Sequence, residues 1–215
     1  MLVLKYILTI SLAFSIYACN SDKKQSMGDK QKEIEFGTLD STNTYTFEEI
    51  GWKVRLPKDW AVQTKESAKR RKNLGKSIIK ETTNKDIDIT QTRNLISLVK
   101  SESNSFISVL SPYEPGLGPY EDLVKKSYSI LKKVYAEKGI DATYREELAS
   151  IDNLDFYVFK AEIYNEDRSR VIVNLNKYFR LINGYSFEMT LVFNNKADQV
   201  DLEDMIFFSK FSKRE

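Results

Sequence analysis

The sequence predicts an α+β fold in which an antiparallel sheet is flanked by helices. Its second half contains long hairpin-like pairs of strands with few helical crossovers, which is typical of antiparallel sheets. A strongly amphipathic segment near the centre predicts a helix that packs by one face. The composition agrees: 41% of the residues are hydrophobic, and 33 basic residues nearly balance 31 acidic ones. The hydrophobic content is typical of a globular protein, and the length suits one domain. The balanced charge gives no indication of nucleic-acid binding.

The first 18 residues resemble a bacterial lipoprotein signal peptide. One positive charge, Lys5, precedes an uncharged apolar run that is shorter than the roughly 20 residues of a membrane-spanning helix. The run ends in Ile16-Tyr17-Ala18-Cys19, which resembles a lipobox, so we predict cleavage after Ala18 and diacylglycerol on the sulfur of Cys19. Free secretion, a permanent membrane anchor and a buried structural cysteine are the alternatives. Asn20 follows the cysteine instead of the aspartate that retains some lipoproteins in the inner membrane, which favours the outer membrane, facing the periplasm.

Residues 19–40 are polar and lysine-rich without apolar periodicity, and they predict a flexible tether from the lipidated cysteine. A coil of about 20 residues has a root-mean-square reach of roughly 25 Å. The alternative is that residues 33–36 add an edge strand. We predict that residues 41–215 form the folded domain.

The first half of the domain contains a hairpin, a helix and two strands. Residues 45–48 and 52–56 alternate around Gly51, and Pro57 ends the second strand. Residues 64–83 predict a helix with Leu74, Ile78 and Ile79 facing inward. Residues 94–101 and 105–111 predict two strands joined by a polar turn.

A clear amphipathic helix follows. Pro119 suits the first helical position, and Gly139 suits the end. The apolar positions recur at steps of three and four residues. They are Leu123, Val124, Tyr128, Leu131, Val134 and Tyr135.

The last third is rich in strands. Residues 140–148, 154–164, 170–182 and 185–193 predict four strands, and Asn183-Gly184 between the last two is a strong signal for a two-residue hairpin turn. We expect Leu175 and Phe179 to share a face with Phe187, Met189 and Leu191. Residues 197–209 predict a final helix. The side chains expected to face the sheet are Val200, Met205 and Phe208.

Two stretches resemble PsbP-like domains. Residues 47–60, FEEIGWKVRLPKDW, resemble the opening hairpin of that family, and residues 206–211, IFFSKF, resemble its terminal helix. Asp59 stands where many members have glycine. The resemblance implies an α-β-α sandwich, with Pro57 at a strand end and Trp60 in the core. The members include a photosystem II extrinsic subunit, a Ran-binding relative and many bacterial lipoproteins of unknown role. Because the family consists mostly of binding and assembly factors, the resemblance implies no shared catalytic residues.

The inventory of reactive side chains is small. The chain has no histidine and its single cysteine is Cys19. Hydrolases of the Ser-His-Asp or Cys-His type and zinc sites built on histidine or cysteine are therefore excluded. We predict no enzymatic activity, no cofactor and no metal.

Several clusters have both a functional and a structural interpretation. The basic run at residues 69–72 is either a solvated helix face or a contact for an anionic lipid or polymer. Asp86 and Asp88, the Glu48-Glu49 pair and the Glu146-Glu147 pair are surface carboxylates unless a cleft sets them at a catalytic separation.

The loop at residues 111–119 contains three of the four prolines. It is either a rigid connector or a partner-binding loop, with Tyr113 and Tyr120 as the candidate binding residues. These features together predict a lipid-anchored envelope lipoprotein with a non-catalytic domain that binds a protein partner or assists assembly. The alternatives are a carboxylate-based enzyme that acts on a glycan and a carrier of a small apolar ligand.

Overall fold

The computed structural model describes residues 25–84 and 88–212. Cys19, the cleavage position after Ala18, and Asp86 lie outside the described residues. Within residues 25–84 and 88–212, no helix is long and apolar enough to cross a membrane.

The described chain contains four α-helices and two antiparallel sheets. The helices are α1 (Met27–Glu33), α2 (Lys65–Thr83), α3 (Tyr120–Glu137) and α4 (Lys196–Phe207). The strands are β1 (Thr38–Leu39), β2 (Thr44–Phe47), β3 (Trp52–Arg55), β4 (Ala61–Val62), β5 (Arg93–Ser101), β6 (Asn104–Pro112), β7 (Ala142–Ile151), β8 (Leu154–Tyr164), β9 (Val171–Ile182), β10 (Tyr185–Phe193) and β11 (Lys210–Phe211). The large sheet has the order β4-β5-β6-β10-β9-β8-β7, and the small one has the order β1-β2-β3-β11.

The large sheet buries both of its faces. One face packs against the small sheet and α4 in a core that includes Trp52 and Phe187. The other face packs against α2 and α3 in a core that includes Tyr128, Phe159 and Phe179. This architecture confirms the predicted α+β class, in which helices flank an antiparallel sheet.

Several local predictions are confirmed. All six apolar positions predicted to face inward on α3 are buried. Pro119 lies at the N-cap, one residue before its predicted place at the first helical position. Asn183 and Gly184 have φ of 49° and 75°, as a two-residue turn of this type requires. Trp60 is buried in the core.

The predicted pairing of faces between β9 and β10 is wrong. The two-residue turn sets Ile182 opposite Tyr185, so Met189 lies opposite Tyr178 and shares its face. Leu175 and Phe179 lie on the opposite face, beneath α3. Because both faces of these central strands are buried, alternation alone does not indicate which residues share a side.

The inward positions of α2 and α4 are only partly as predicted. Leu74 is 46% exposed, because the buried face of α2 is centred on Gly75, Ile78, Ile79 and Thr82. In α4 Met205 is buried as expected, but Val200 is exposed and Phe208 is 75% exposed. Leu202 and Ile206 take the inward positions, and Phe208 follows the end of the helix.

The prediction of a flexible tether is wrong for residues 25–40, which form α1 and β1. The Gln25 side chain binds both backbone groups of Val62: its Oε1 accepts from the N–H at 2.8 Å and its Nε2 donates to the carbonyl at 3.0 Å. Ser26 caps α1, and Leu39 pairs with Tyr45. These partners are distant in sequence, so composition does not reveal them. The alternative strand lies at Thr38–Leu39 and not at residues 33–36.

Candidate functional site

The structure brings the two candidate tyrosines together at one end of the large sheet. Residues 112–119, here called the proline loop, connect β6 to α3. The rings of Tyr113 and Tyr120 meet edge to face, with centroids 5.8 Å apart. The Tyr113 hydroxyl donates to the Gly118 carbonyl at 2.7 Å, which closes the loop on itself. The Tyr120 hydroxyl lies 3.0 Å from the Ser186 hydroxyl, and burial raises the pKa of Tyr120 well above its ordinary value.

The proline loop is attached to the turn between β9 and β10. The backbone N–H of Tyr113 donates to the Gly184 carbonyl at 2.9 Å. The Asn183 side chain in turn donates to the Glu49 carbonyl at 3.2 Å. Residues 114–116 form the exposed tip of the loop. Both tyrosine hydroxyls are thus bonded within the protein, and the surface they support is this tip.

Arg93 holds together the part of the large sheet's end that lies next to the proline loop. Its guanidinium forms a two-pronged ion pair with Glu49, with contacts of 2.5 and 2.9 Å. It also lies 5.2 Å from the ring centre of Tyr185 and within 6 Å of two other aromatic rings. The hydrogen bond to Glu49 raises the pKa of Arg93 despite partial burial. The loop, the turn and this ion pair form one preorganised surface, here called the loop end.

The carboxylates singled out by the sequence do not face one another in the described part of the chain. Glu146 and Glu147 diverge as expected, because one binds α3 and the other binds β8. Glycosidase chemistry requires two carboxyl groups held across a cleft, one as acid and one as base or nucleophile. Here Glu48 is exposed to solvent, and four of the other carboxylates contact a cation or a hydroxyl instead. The partners are Arg93 for Glu49, Lys132 for Glu146, Lys160 for Glu147 and Thr90 for Asp88.

A charged cluster at the start of α4 was not predicted. Lys100 Nζ lies 2.5 Å from Asp198 Oδ1 and 3.4 Å from Asp201 Oδ2. Trp60 Nε1 donates to Asp201 at 3.2 Å. The hydrogen bond to Asp198 raises the pKa of Lys100. The cluster ties α4 to β5 and to Trp60, and the sequence signals only its Asn195-x-x-Asp198 helix start.

A buried ion pair beneath α3 was also missed. Lys177 Nζ lies 2.9 Å from Glu188 Oε2, and the two residues are 5% and 2% exposed. The ammonium is 4.9 Å from the ring centre of Phe179. The available signal was Glu188, the one charged residue of β10, opposite a strand that contains Lys177. Such residues are rarely buried unless they are paired.

The basic run at residues 69–72 is split by the turn of α2. Lys69 and Arg70 are exposed, whereas Arg71 and Lys72 are half-buried. Lys72 Nζ donates to the Thr92 carbonyl at 2.9 Å. Burial lowers the pKa of the Arg71 guanidinium to about 10, so it remains charged at neutral pH.

In residues 25–84 and 88–212, no group of three or more histidine, cysteine, aspartate or glutamate side chains could hold a metal ion.

Comparison with known proteins identifies the fold. No family model matches the sequence, and a search of curated proteins gives no match. The structure is similar to the solution structure of cyanobacterial PsbP (CyanoP) from Synechocystis sp. PCC 6803, with a TM-score of 0.51 and 13% sequence identity. The similarity covers 81% of this chain and 96% of that one. The chain therefore has the PsbP-like fold that its opening hairpin and closing residues predict.

Proposed function

We propose that this protein is a lipid-anchored lipoprotein of the bacterial envelope whose PsbP-like domain binds a protein partner or assists assembly without catalysis. The observation that carries this proposal is the preorganised loop end. Hydrogen bonds hold the proline loop to itself and to the β9–β10 turn. A surface that is already ordered loses little conformational entropy when it binds, and this favours recognition of a partner.

The described side chains support binding over the two alternatives. Four of the carboxylates that a glycan-cleaving enzyme could use, Glu49, Asp88, Glu146 and Glu147, contact cations or hydroxyls. An apolar-ligand carrier would need open space against the aromatic face of the sheet. Instead the rings on that face fill the space with one another: Tyr128 stacks on Phe159 with centroids 4.9 Å apart and meets Phe179 at 5.5 Å.

The anchoring part of the proposal rests on the lipobox that ends at Cys19. Replacing Cys19 with alanine removes the only sulfur that can accept the diacylglycerol. We expect the Cys19→Ala protein to leave the membrane fraction, whereas a Ser21→Ala control stays in it. Measurement by fractionation and immunoblotting would contradict the proposal if both variants remained bound to the membrane.

The binding part is tested by crosslinking from the loop end in living cells. We place a photo-crosslinking residue at Glu114 on the exposed loop tip, and at Glu166 in the turn at the opposite end of the sheet as the matched control. A discrete protein adduct is expected from position 114 only. Adding Tyr113→Phe, which removes the bond to Gly118, should weaken that adduct because the loop loses its closure. Equal adducts at both positions would argue against the loop end as the binding surface.

A further inference from the structure

Positive charge is concentrated on α2. Its 19 residues contain seven lysines and arginines against two glutamates. The rest of the chain from Gln25 onward has 23 basic and 28 acidic side chains. The domain is therefore nearly neutral as a whole but strongly polarised, and a surface of this kind is attracted to negative charge.

The exposed cations of α2 differ from those of α3 in their partners. Lys65, Lys69 and Arg70 are exposed, and their side chains form no ion pair or hydrogen bond with the residues that the structure describes. On α3, by contrast, Lys125 and Lys133 each pair with a glutamate on the same helix. Internal pairs neutralise most of the charge on α3, whereas the charges of Lys65, Lys69 and Arg70 on α2 face solvent or an external anion.

The N-terminal segment places the exposed basic face of α2, formed by Lys65, Lys69 and Arg70, close to the lipid anchor. Gln25 is bound to Val62, and α2 begins three residues after Val62, at most about 10 Å along the chain. The Glu33 carboxylate accepts from the backbone N–H of Lys65 at 3.0 Å, so α1 also contacts the first turn of α2. Six residue steps separate Cys19 from Gln25, and they span at most about 20 Å. A lipid on Cys19 therefore keeps the start of α2 near the bilayer.

We infer that the exposed basic face of α2 rests against anionic phospholipid headgroups of the membrane that holds the lipid anchor. This inference depends on the proposed lipidation of Cys19. The attraction of a basic segment to such a surface falls off within a Debye length, about 10 Å at 0.1 M salt. The short connection brings Lys65, Lys69 and Arg70 toward that range, so charge selects which side of the domain faces the membrane.

Fluorescence quenching in vesicles tests the inference with the lipidated protein. The lipid anchor occupies the natural thiol, so Ser77→Cys on the outer face of α2 provides a single labelling site. Ser129→Cys on the solvent face of α3 provides its control. Each labelled protein is reconstituted in vesicles that contain a lipid-linked quencher. In phosphatidylcholine with phosphatidylglycerol we expect at least twice the quenching at position 77 as at position 129. The difference should disappear in phosphatidylcholine alone and at about 1 M salt, where the Debye length is about 3 Å.

Charge reversals identify the residues responsible. Lys69→Glu with Arg70→Glu should abolish the excess quenching at position 77. Lys126→Glu with Lys196→Glu, which changes the net charge equally at two exposed sites elsewhere, should preserve it. The inference is overturned if the anchored protein shows equal quenching at both label positions, or if the excess quenching does not require phosphatidylglycerol. Either result leaves the anchor intact. Protein that attaches to neither kind of vesicle overturns the anchor, and this inference with it.

Discussion

Lys177 and Glu188 lie side by side in the core beneath α3, where water barely reaches either of them. The ammonium is 2.9 Å from the carboxylate, and the aromatic ring of Phe179 lies against it. Burying two charges is costly, and their mutual attraction recovers that cost only while both are present. Removing one partner therefore takes this compensation away from the charge that stays buried.

We predict that Glu188→Leu lowers the free energy of unfolding by about 3–5 kcal/mol. Urea denaturation followed by circular dichroism measures the change. The double variant Lys177→Met with Glu188→Leu should recover most of the loss, because it removes both charges from the core.

Glu121→Leu is the surface control for this prediction. Glu121 pairs with Lys125 at 2.7 Å on the solvent face of α3, and such pairs contribute only about 0.3–0.5 kcal/mol. If Glu188→Leu lowers the free energy of unfolding by no more than Glu121→Leu does, the buried ion pair does not stabilise the fold as predicted.

The helices, strands and turns that could be predicted are those whose sequence patterns lie within a few neighbouring residues. The inward face of α3 follows from its own apolar spacing, and the β9–β10 turn follows from the backbone preference of Asn183-Gly184. The opening hairpin likewise contains its own alternation around Gly51. In each case the residues that decide the structure lie within one element or one turn.

Other elements depend on contacts that the sequence does not pair. Helix α1 is too short to be stable alone, and it forms where Gln25 meets Val62, 37 positions away. Leu74 is apolar, yet it is 46% exposed because the buried face of α2 contains Gly75, Ile78 and Ile79 instead. The loop end shows both situations: the proline content marks a rigid loop, but the link from Tyr113 to Gly184 and the ion pair of Arg93 with Glu49 appear only in three dimensions.

At the scale of the whole molecule, buried tyrosines make stability sensitive to alkaline pH. Burial raises the pKa of six of them above the ordinary value of about 10. They are Tyr45, Tyr120, Tyr128, Tyr135, Tyr144 and Tyr178. Above pH 10 the unfolded chain releases these protons while the folded protein retains them. The unfolded state then binds fewer protons, so stability falls as pH rises.

We predict that the free energy of unfolding is constant near pH 8 and falls above about pH 10, by up to 1.4 kcal/mol per pH unit for each tyrosine. Arg71, whose pKa burial lowers to about 10, and Lys72, whose pKa burial also lowers, act in the opposite direction, but they are fewer than the tyrosines. Urea denaturation across this range measures the slope, and tyrosinate absorbance reports ionisation.

Tyr128→Phe is the sharpest variant for this test. The buried Tyr128 hydroxyl has no hydrogen-bond partner within the described ranges, so its removal should leave stability at neutral pH unchanged or slightly higher. The same change removes one of the groups that resist ionisation, so the alkaline loss should become shallower by up to about 1.4 kcal/mol per pH unit. A slope equal to that of the parent protein would mean that Tyr128 ionises equally in the folded and unfolded states. That result would contradict the dry packing of its hydroxyl between α3 and the sheet.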